Sequence, residues 1–493
     1  MSERALLPGP QPGGQAQPSV SSANVAAPIG STARATPVLR RRAVAIVVAF
    51  GVVALGVSFF FFYDPVFRHS DSWTDPSDLW GMFRGAHYVG WGYLGGIYNQ
   101  ETGMVTFPGI AVVLAPIAIL ADLLHLNAPI QSLLIPHPSA APLLVPVVLL
   151  LASTVVVAAD VLADELGVGK ARRAVLSLLV GVMACAATII WGHPEDALVM
   201  TFGCLAMVAV LRGNWRRAGW LFGIAVAFQP LIAVTIPLFV VATPRGQRLL
   251  FAVRCSIISA FLVGVAFLGN PSGAYRALVE QPTPPLVNHA TPWVSWAPHV
   301  VMPGAVQGTV GSHLVRAASG AYVQVKASHP ALLEVSGGPG RTLYVMVALL
   351  AALYVWRRPQ APVRLLWLAG AVLAARCAFE AVMTPYYLTP PLILLLVLAA
   401  RRGTWRFSVA AVVAAATSWF TYWHLAPWVW WSPVVVGMTT VAVLSFPTAT
   451  PASPQEGARP EAVDTADLDG GPAVTVTAAP PPGTPQPVDL LPA

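Results

Sequence analysis

Four of the 21 acidic residues in this chain, Asp64, Asp71, Asp75 and Asp78, fall within 15 positions, just beyond an apolar run at 43–62. The chain as a whole is 56% hydrophobic and 10% charged, so carboxylates gathered at one edge of such a run ask for a reason. A carboxylate within hydrogen-bond reach of a hydroxyl can take its proton as the oxygen attacks an electrophile. The competing use is structural, since aspartate before proline closes turns. Asp64-Pro65 and Asp75-Pro76 suit that use, and Asp71 has no distinguishing context. Asp78 differs, because it opens Asp78-Leu-Trp-Gly-Met-Phe-Arg-Gly-Ala86, which reads as a short amphipathic helix lying on a membrane interface. Asp78 is therefore the first candidate for a general base and Asp64 the second.

Two further groups carry charge where charge is costly. Trp191-Gly-His-Pro-Glu-Asp196 lies between two apolar runs. Proline at a first helical position with acids in the first turn is ordinary helix-start chemistry. That accounts for Glu195 and Asp196 but not for His193. Arg376 and Glu380 stand one helical turn apart. Arg376 is 12 residues beyond Arg364, about 18 Å along a helix and past the midplane of a core about 30 Å thick. An i,i+4 ion pair that locks a bundle is one explanation. The other is that the planar arginine fork faces a phosphate, with His193 or Arg84 helping. Glu195 or Asp196 would then orient a sugar or a divalent cation.

Several signals carry less. Gly90-Trp-Gly-Tyr-Leu-Gly95 matches a dinucleotide fingerprint in letters, but no strand precedes it. The four cysteines have no metal spacing. His289 to His299, with two tryptophans, reads either as a lid or acceptor surface or as an interfacial loop anchored by its rings.

The elements that must position these residues are membrane helices. Apolar runs lie near 43–62, 105–124, 142–162, 174–192, 196–211, 218–242, 250–268, 342–356, 363–380, 387–400, 406–423 and 428–446. Their lengths suit a hydrocarbon core, so the fold class is an all-α polytopic membrane protein of about 10–12 transmembrane helices with a large first outer loop. Residues 1–41 and 447–493 are Pro-, Gly- and Ala-rich and read as disordered tails, leaving 42–446 as the membrane domain. Of 28 cations all but Lys170 and Lys326 are arginines, many of them in six clusters between runs. That is orientation signal and gives no reason to expect nucleic acid. All six clusters share the cytoplasmic side if 105–124 and 218–242, both containing proline, do not cross. Twelve full spans is the alternative. Either way the protein is a multi-pass component of the cell membrane with both termini cytoplasmic.

The order Asp78-Leu79, Ile97-Tyr98, Thr106-Phe107-Pro108 and Leu114-Ala-Pro-Ile-Ala118 resembles the polyprenol-phosphate-mannose-dependent mannosyltransferases of the GT-C type. Phe228-Gln-Pro230 and Pro385-Tyr-Tyr-Leu-Thr-Pro-Pro391 look like two later landmarks of that family. Met82 stands where the family usually has tyrosine, and Tyr386-Tyr387 where paired histidines are common. The resemblance implies a GT-C-like bundle and an inverting transfer of a hexose, mannose by the family's habit. The donor would be a polyprenyl-phosphate sugar and the acceptor a lipid or glycan hydroxyl. With the chemistry above, such a transferase would use Asp78 or Asp64 as base, Arg376 at the donor phosphate, and Glu195, Asp196, Glu380, Tyr386 and Tyr387 around the substrate. A lipid or solute transporter, or a non-catalytic assembly factor on the same fold, would share the broken segments and the buried arginine.

Overall fold

Backbone inside a hydrocarbon layer finds no water, so apolar segments close their own hydrogen bonds as helices. A computed structural model describes residues 42–58, 77–99, 102, 104–126, 140–281, 289–300, 312–316, 322–326, 334–335, 338–421, 423 and 425–448. Asp64, Asp71, Asp75 and nearly all of both expected tails lie outside the described residues.

The helices are α1 (Ala43–Ser58), α2 (Ser77–Gly90), α3 (Gly109–Leu123), α4 (Ala141–Glu165) and α5 (Lys170–Cys185). They continue as α6 (Pro194–Leu211), α7 (Trp215–Phe228), α8 (Ile236–Ala242), α9 (Arg248–Gly269) and α10 (Pro271–Tyr275). The last are α11 (Gly338–Arg357), α12 (Pro362–Phe379), α13 (Thr389–Arg402), α14 (Thr404–Phe420) and α15 (Pro427–Ser445). Among the described residues, three short antiparallel strand pairs interrupt the helical pattern: β1 (His289–Ala290) with β6 (Val382–Met383), β2 (His299–Val300) with β5 (Glu334–Val335), and β3 (Ser312–Arg316) with β4 (Tyr322–Lys326).

Among the described residues, seven helical stretches are both long and apolar enough to cross a membrane: α4, Lys170–Ile190, α6, Arg245–Gly269, α11, α12 and α15. Ala43–Ser58, Gly109–Leu123 and Pro230–Ala242 are shorter apolar helices. The chain is a helical polytopic membrane protein. Two helices have long stretches buried on every side, as expected of central helices. In α6, Pro194 through Thr201 are all buried, and in α13 so are Thr389 through Ala400. Peripheral helices instead expose large apolar residues, such as Leu249, Leu250, Phe261 and Leu268 on α9.

The bundle has two chemically distinct ends. At one, Arg42 and Arg173 share Asp160 and Asp164 at the end of α4, with Arg42 to Asp160 at 2.7 Å and Arg173 to Asp160 at 2.6 Å. Arg212 pairs with Glu165 at 2.6 Å, and Arg172 donates to the Ala400 carbonyl at the end of α13. Helices α5 and α6 therefore form a hairpin whose tip, at His193, lies at the other end.

The segment at 218–242 also turns back. Gly219 sits against Phe251 and Arg254, and Gly223 against Arg254 and Cys255, so α7 and α9 run parallel. A parallel pair needs a return limb, and Pro230–Ala242 provides it. Proline lacks the N–H that would continue α7, and Gln229 is extended there with φ −154° and ψ 137°. Helices α2 and α3 stay at the His193 end. Gly95 touches Gly269, Asn270 bonds Asn99 at 3.0 Å, and the start of α3 at Gly109 lies against Ala227.

Candidate functional site

The site collects where the two most buried helices begin. Helix α5 ends in a π-helical turn, Ala186–Ile190. Such insertions often mark functional positions because they re-aim the following residues. Gly192 adopts φ +68°, a left-handed conformation that glycine takes without the clash a Cβ would bring. The His193 N–H bonds the Ala187 carbonyl at 2.9 Å, and Pro194 starts α6. This turn sets the imidazole across the first turn of α2.

His193 Nε2 is 2.9 Å from Asp78 Oδ2, and His193 Nδ1 is 2.6 Å from Glu195 Oε1. The imidazole is 3% exposed and Glu195 is 0%, whereas the Asp78 side chain is 40% exposed. The Tyr386 ring stacks on the imidazole with centroids 3.8 Å apart and planes at 24°. Burial alone would favour neutral imidazole, but the Glu195 and Asp78 carboxylates outweigh it and hold His193 well above its ordinary value. Both ring nitrogens then donate, one to each carboxylate.

Asp196, also fully buried, lies against the Gln229 side chain and within the field of Arg376. Its two carboxylate oxygens, Glu195 Oε2 and Gln229 Oε1 lack a hydrogen-bond partner among the described residues. The positive end of the α6 dipole favours both acids.

Tyr386 continues into a second group. Its ring meets Tyr387 edge-on at 4.7 Å, and the Arg376 guanidinium carbon lies 4.1 Å from the Tyr387 centroid. Arg376 Nε is 3.3 Å from Glu380 Oε2, and Arg341 Nε is 3.4 Å from Glu380 Oε1. Arg376 Nη1 is buried with no hydrogen-bond partner among the described residues. Two arginines thus share one glutamate.

The 289–297 segment closes over this second group. Thr291 donates its hydroxyl to the Glu380 carbonyl at 2.7 Å, and Trp293 Nε1 donates to Ala378 at 2.8 Å. His289 stacks on Trp430 at 4.3 Å.

Asp78, His193, Glu195, Asp196, Tyr386, Tyr387, Arg376 and Glu380 thus form one connected set drawn from α2, α6, α12 and the turn before α13. Arg84 is engaged elsewhere, donating to the Thr102 carbonyl at 2.9 and 3.1 Å. Asp64 lies outside the described residues. Arg341 and Gln229 do not stand out as site residues in the sequence. Arg341 did leave a trace, as a lone arginine beside Gly338-Pro-Gly340 at the end of a span opposite the arginine clusters. Among the described residues there is no group of three or more His, Cys, Asp or Glu disposed to hold a metal ion.

Fold and site together define a helical membrane protein with a charged, aromatic-lined cluster at one end of its bundle. Comparison with protein-family models, curated proteins and solved structures finds no match to this chain.

Proposed function

We propose that the protein is a membrane glycosyltransferase moving a hexose from a polyprenyl-phosphate donor to an acceptor hydroxyl on the extracytoplasmic face. The observation that carries the reading is the joining of two unlike groups through the adjacent tyrosines Tyr386 and Tyr387. One is an accessible carboxylate, Asp78, in an otherwise buried acidic cluster. The other is a buried arginine, Arg376, whose Nη1 has no hydrogen-bond partner among the described residues. Transfer between two oxygens needs both. The acceptor hydroxyl gives its proton to Asp78 while its oxygen bonds the anomeric carbon. The bond from that carbon to the phosphate oxygen breaks, and the electron pair leaves with the phosphate. Positive charge held in a low-dielectric site stabilises that leaving group. Arg376 fills this role with Arg341 behind it. Attack by the acceptor itself inverts the anomeric centre.

The arginine-rich end is cytoplasmic by the positive-inside rule. Hairpin 215–242 enters and returns on that side, and α2 with α3 lies on the opposite face as part of the first outer loop. This path favours ten crossings plus the hairpin, in a GT-C-like arrangement with both termini cytoplasmic. Mannose is the hexose that the motif resemblance favours.

Asp78→Asn keeps the size of the side chain and removes its basicity. In purified, folded protein supplied with polyprenyl-phosphate mannose, transfer should fall about 10²–10⁴-fold. Undiminished transfer removes Asp78 from the role. Movement of intact lipid or solute across proteoliposomes without any new glycoside would instead favour a transporter.

A further inference from the structure

The geometry points to His193 and Glu195 as positioning residues for Asp78: a doubly bonded imidazolium, locked between two carboxylates and a tyrosine ring, fixes the carboxylate that meets the acceptor. The catalytic part of this role rests on the transferase reading; the ionic arrangement does not.

Asp78 is in the first turn of α2 with its side chain 40% exposed, a place where a carboxylate alone samples several rotamers. The 2.9 Å contact from His193 Nε2 to Oδ2 holds it in one of them. The other oxygen, Oδ1, is then the one that takes the acceptor proton. His193 cannot turn away, because Glu195 holds Nδ1 at 2.6 Å and Tyr386 covers the ring at 3.8 Å. The groups facing the imidazole are Asp78 on α2, Glu195 and Asp196 on α6, and Tyr386 before α13, with Arg376 on α12 acting on Asp196.

His193 does not relay the proton. Flanked by two carboxylates, it needs both N–H groups to satisfy both. It keeps them when Asp78 becomes protonated, since the His193–Glu195 pair is then neutral and buried. Glu195 is the residue that keeps the imidazole charged against its burial. Without that charge the ring loses a proton, and only one tautomer still donates to Asp78. A base misplaced by about 1 Å can lose roughly 10²-fold in rate.

Two measurements on the full chain in lipid nanodiscs test this. The first is an NMR titration of isotope-labelled histidine, with His193→Gln identifying the signal. One imidazole should stay protonated well above pH about 6.5, and Glu195→Gln should lower its midpoint. An ordinary His193 midpoint, or one that Glu195→Gln does not move, overturns the ionic arrangement. The second is the rate–pH profile with polyprenyl-phosphate mannose. Glu195→Gln should lose about 10²-fold near neutral pH, move the alkaline limb to lower pH, and recover where His193 is protonated. Glu195→Asp, which restores the charge, should recover part of the rate and guards against a simple folding defect. A uniform loss at every pH overturns the positioning role. No transfer by the wild-type protein overturns the transferase reading and the catalytic role with it, while the titration still decides whether the ion triad exists.

Discussion

A histidine between two carboxylates ties protonation to stability. His193 is held well above its ordinary value in the folded protein by Glu195 and Asp78. A raised folded value means that the stabilisation is fully present below the unfolded pKa, about 6.5 for histidine. It is lost as pH rises through the folded value. Thermal melting in nanodiscs should therefore show wild-type stability declining on the alkaline side, and His193→Gln should lack that component. Identical pH dependence in the two proteins would contradict the pairing. At this scale the sequence spoke clearly about residue type. Arg376 and Glu380 stand out because charge in apolar surroundings is costly, Asp78 because it opens an amphipathic stretch, and His193 because helix-start chemistry does not explain it. It said less about partners. The contact between Asp78 and His193 spans more than a hundred positions, and Glu195 had an adequate local explanation as a helix-start acid.

Elements bring these residues within reach, and two glycines show how narrow the tolerance is. Gly192 permits the left-handed turn before His193. Gly340 permits close approach of α11 to the end of α12, since a Cβ there would lie 1.7 Å from the Phe379 carbonyl oxygen. Gly340→Ala must push the helices apart beside Arg341 and Glu380. We expect a loss of about 1–3 kcal/mol, the usual range for overpacking, read as a lower melting temperature. A weakened Arg341–Glu380 contact should accompany it. Unchanged melting would mean that α11 is free to shift. The proline positions made the break at Gln229-Pro230 and the start of α6 legible, because proline withdraws an N–H wherever it occurs. The π-helical turn at Ala186–Ile190 was not legible. No residue type demands it; it lies where α5 packs against α1 and α4, with Ile189 against Gly56.

For the whole molecule the testable matter is the path of the chain across the membrane. Arg216 and Gln247 flank hairpin 215–242 and are exposed at the arginine-rich end, whereas Ser272 is exposed at the opposite end. Each is replaced singly by cysteine in a background lacking the native cysteines, which are free and buried or half-buried. A membrane-impermeant maleimide applied to intact cells should label Ser272→Cys, and should reach Arg216→Cys and Gln247→Cys only after permeabilisation. Labelling of Arg216 and Gln247 from opposite sides would break the hairpin. By itself, the sequence determined that this is a helical membrane protein, where its segments lie, and which charged residues sit against the grain of their surroundings. Apolar runs, proline and charge act locally, so those conclusions follow from neighbours along the chain. The tertiary structure decided that Asp78 meets His193, that Tyr386 and Tyr387 bridge the acids to Arg376, and that Arg341 joins Glu380. These are contacts between distant segments. They exist because α6 and α13 are buried on every side and must begin at the same end of the bundle.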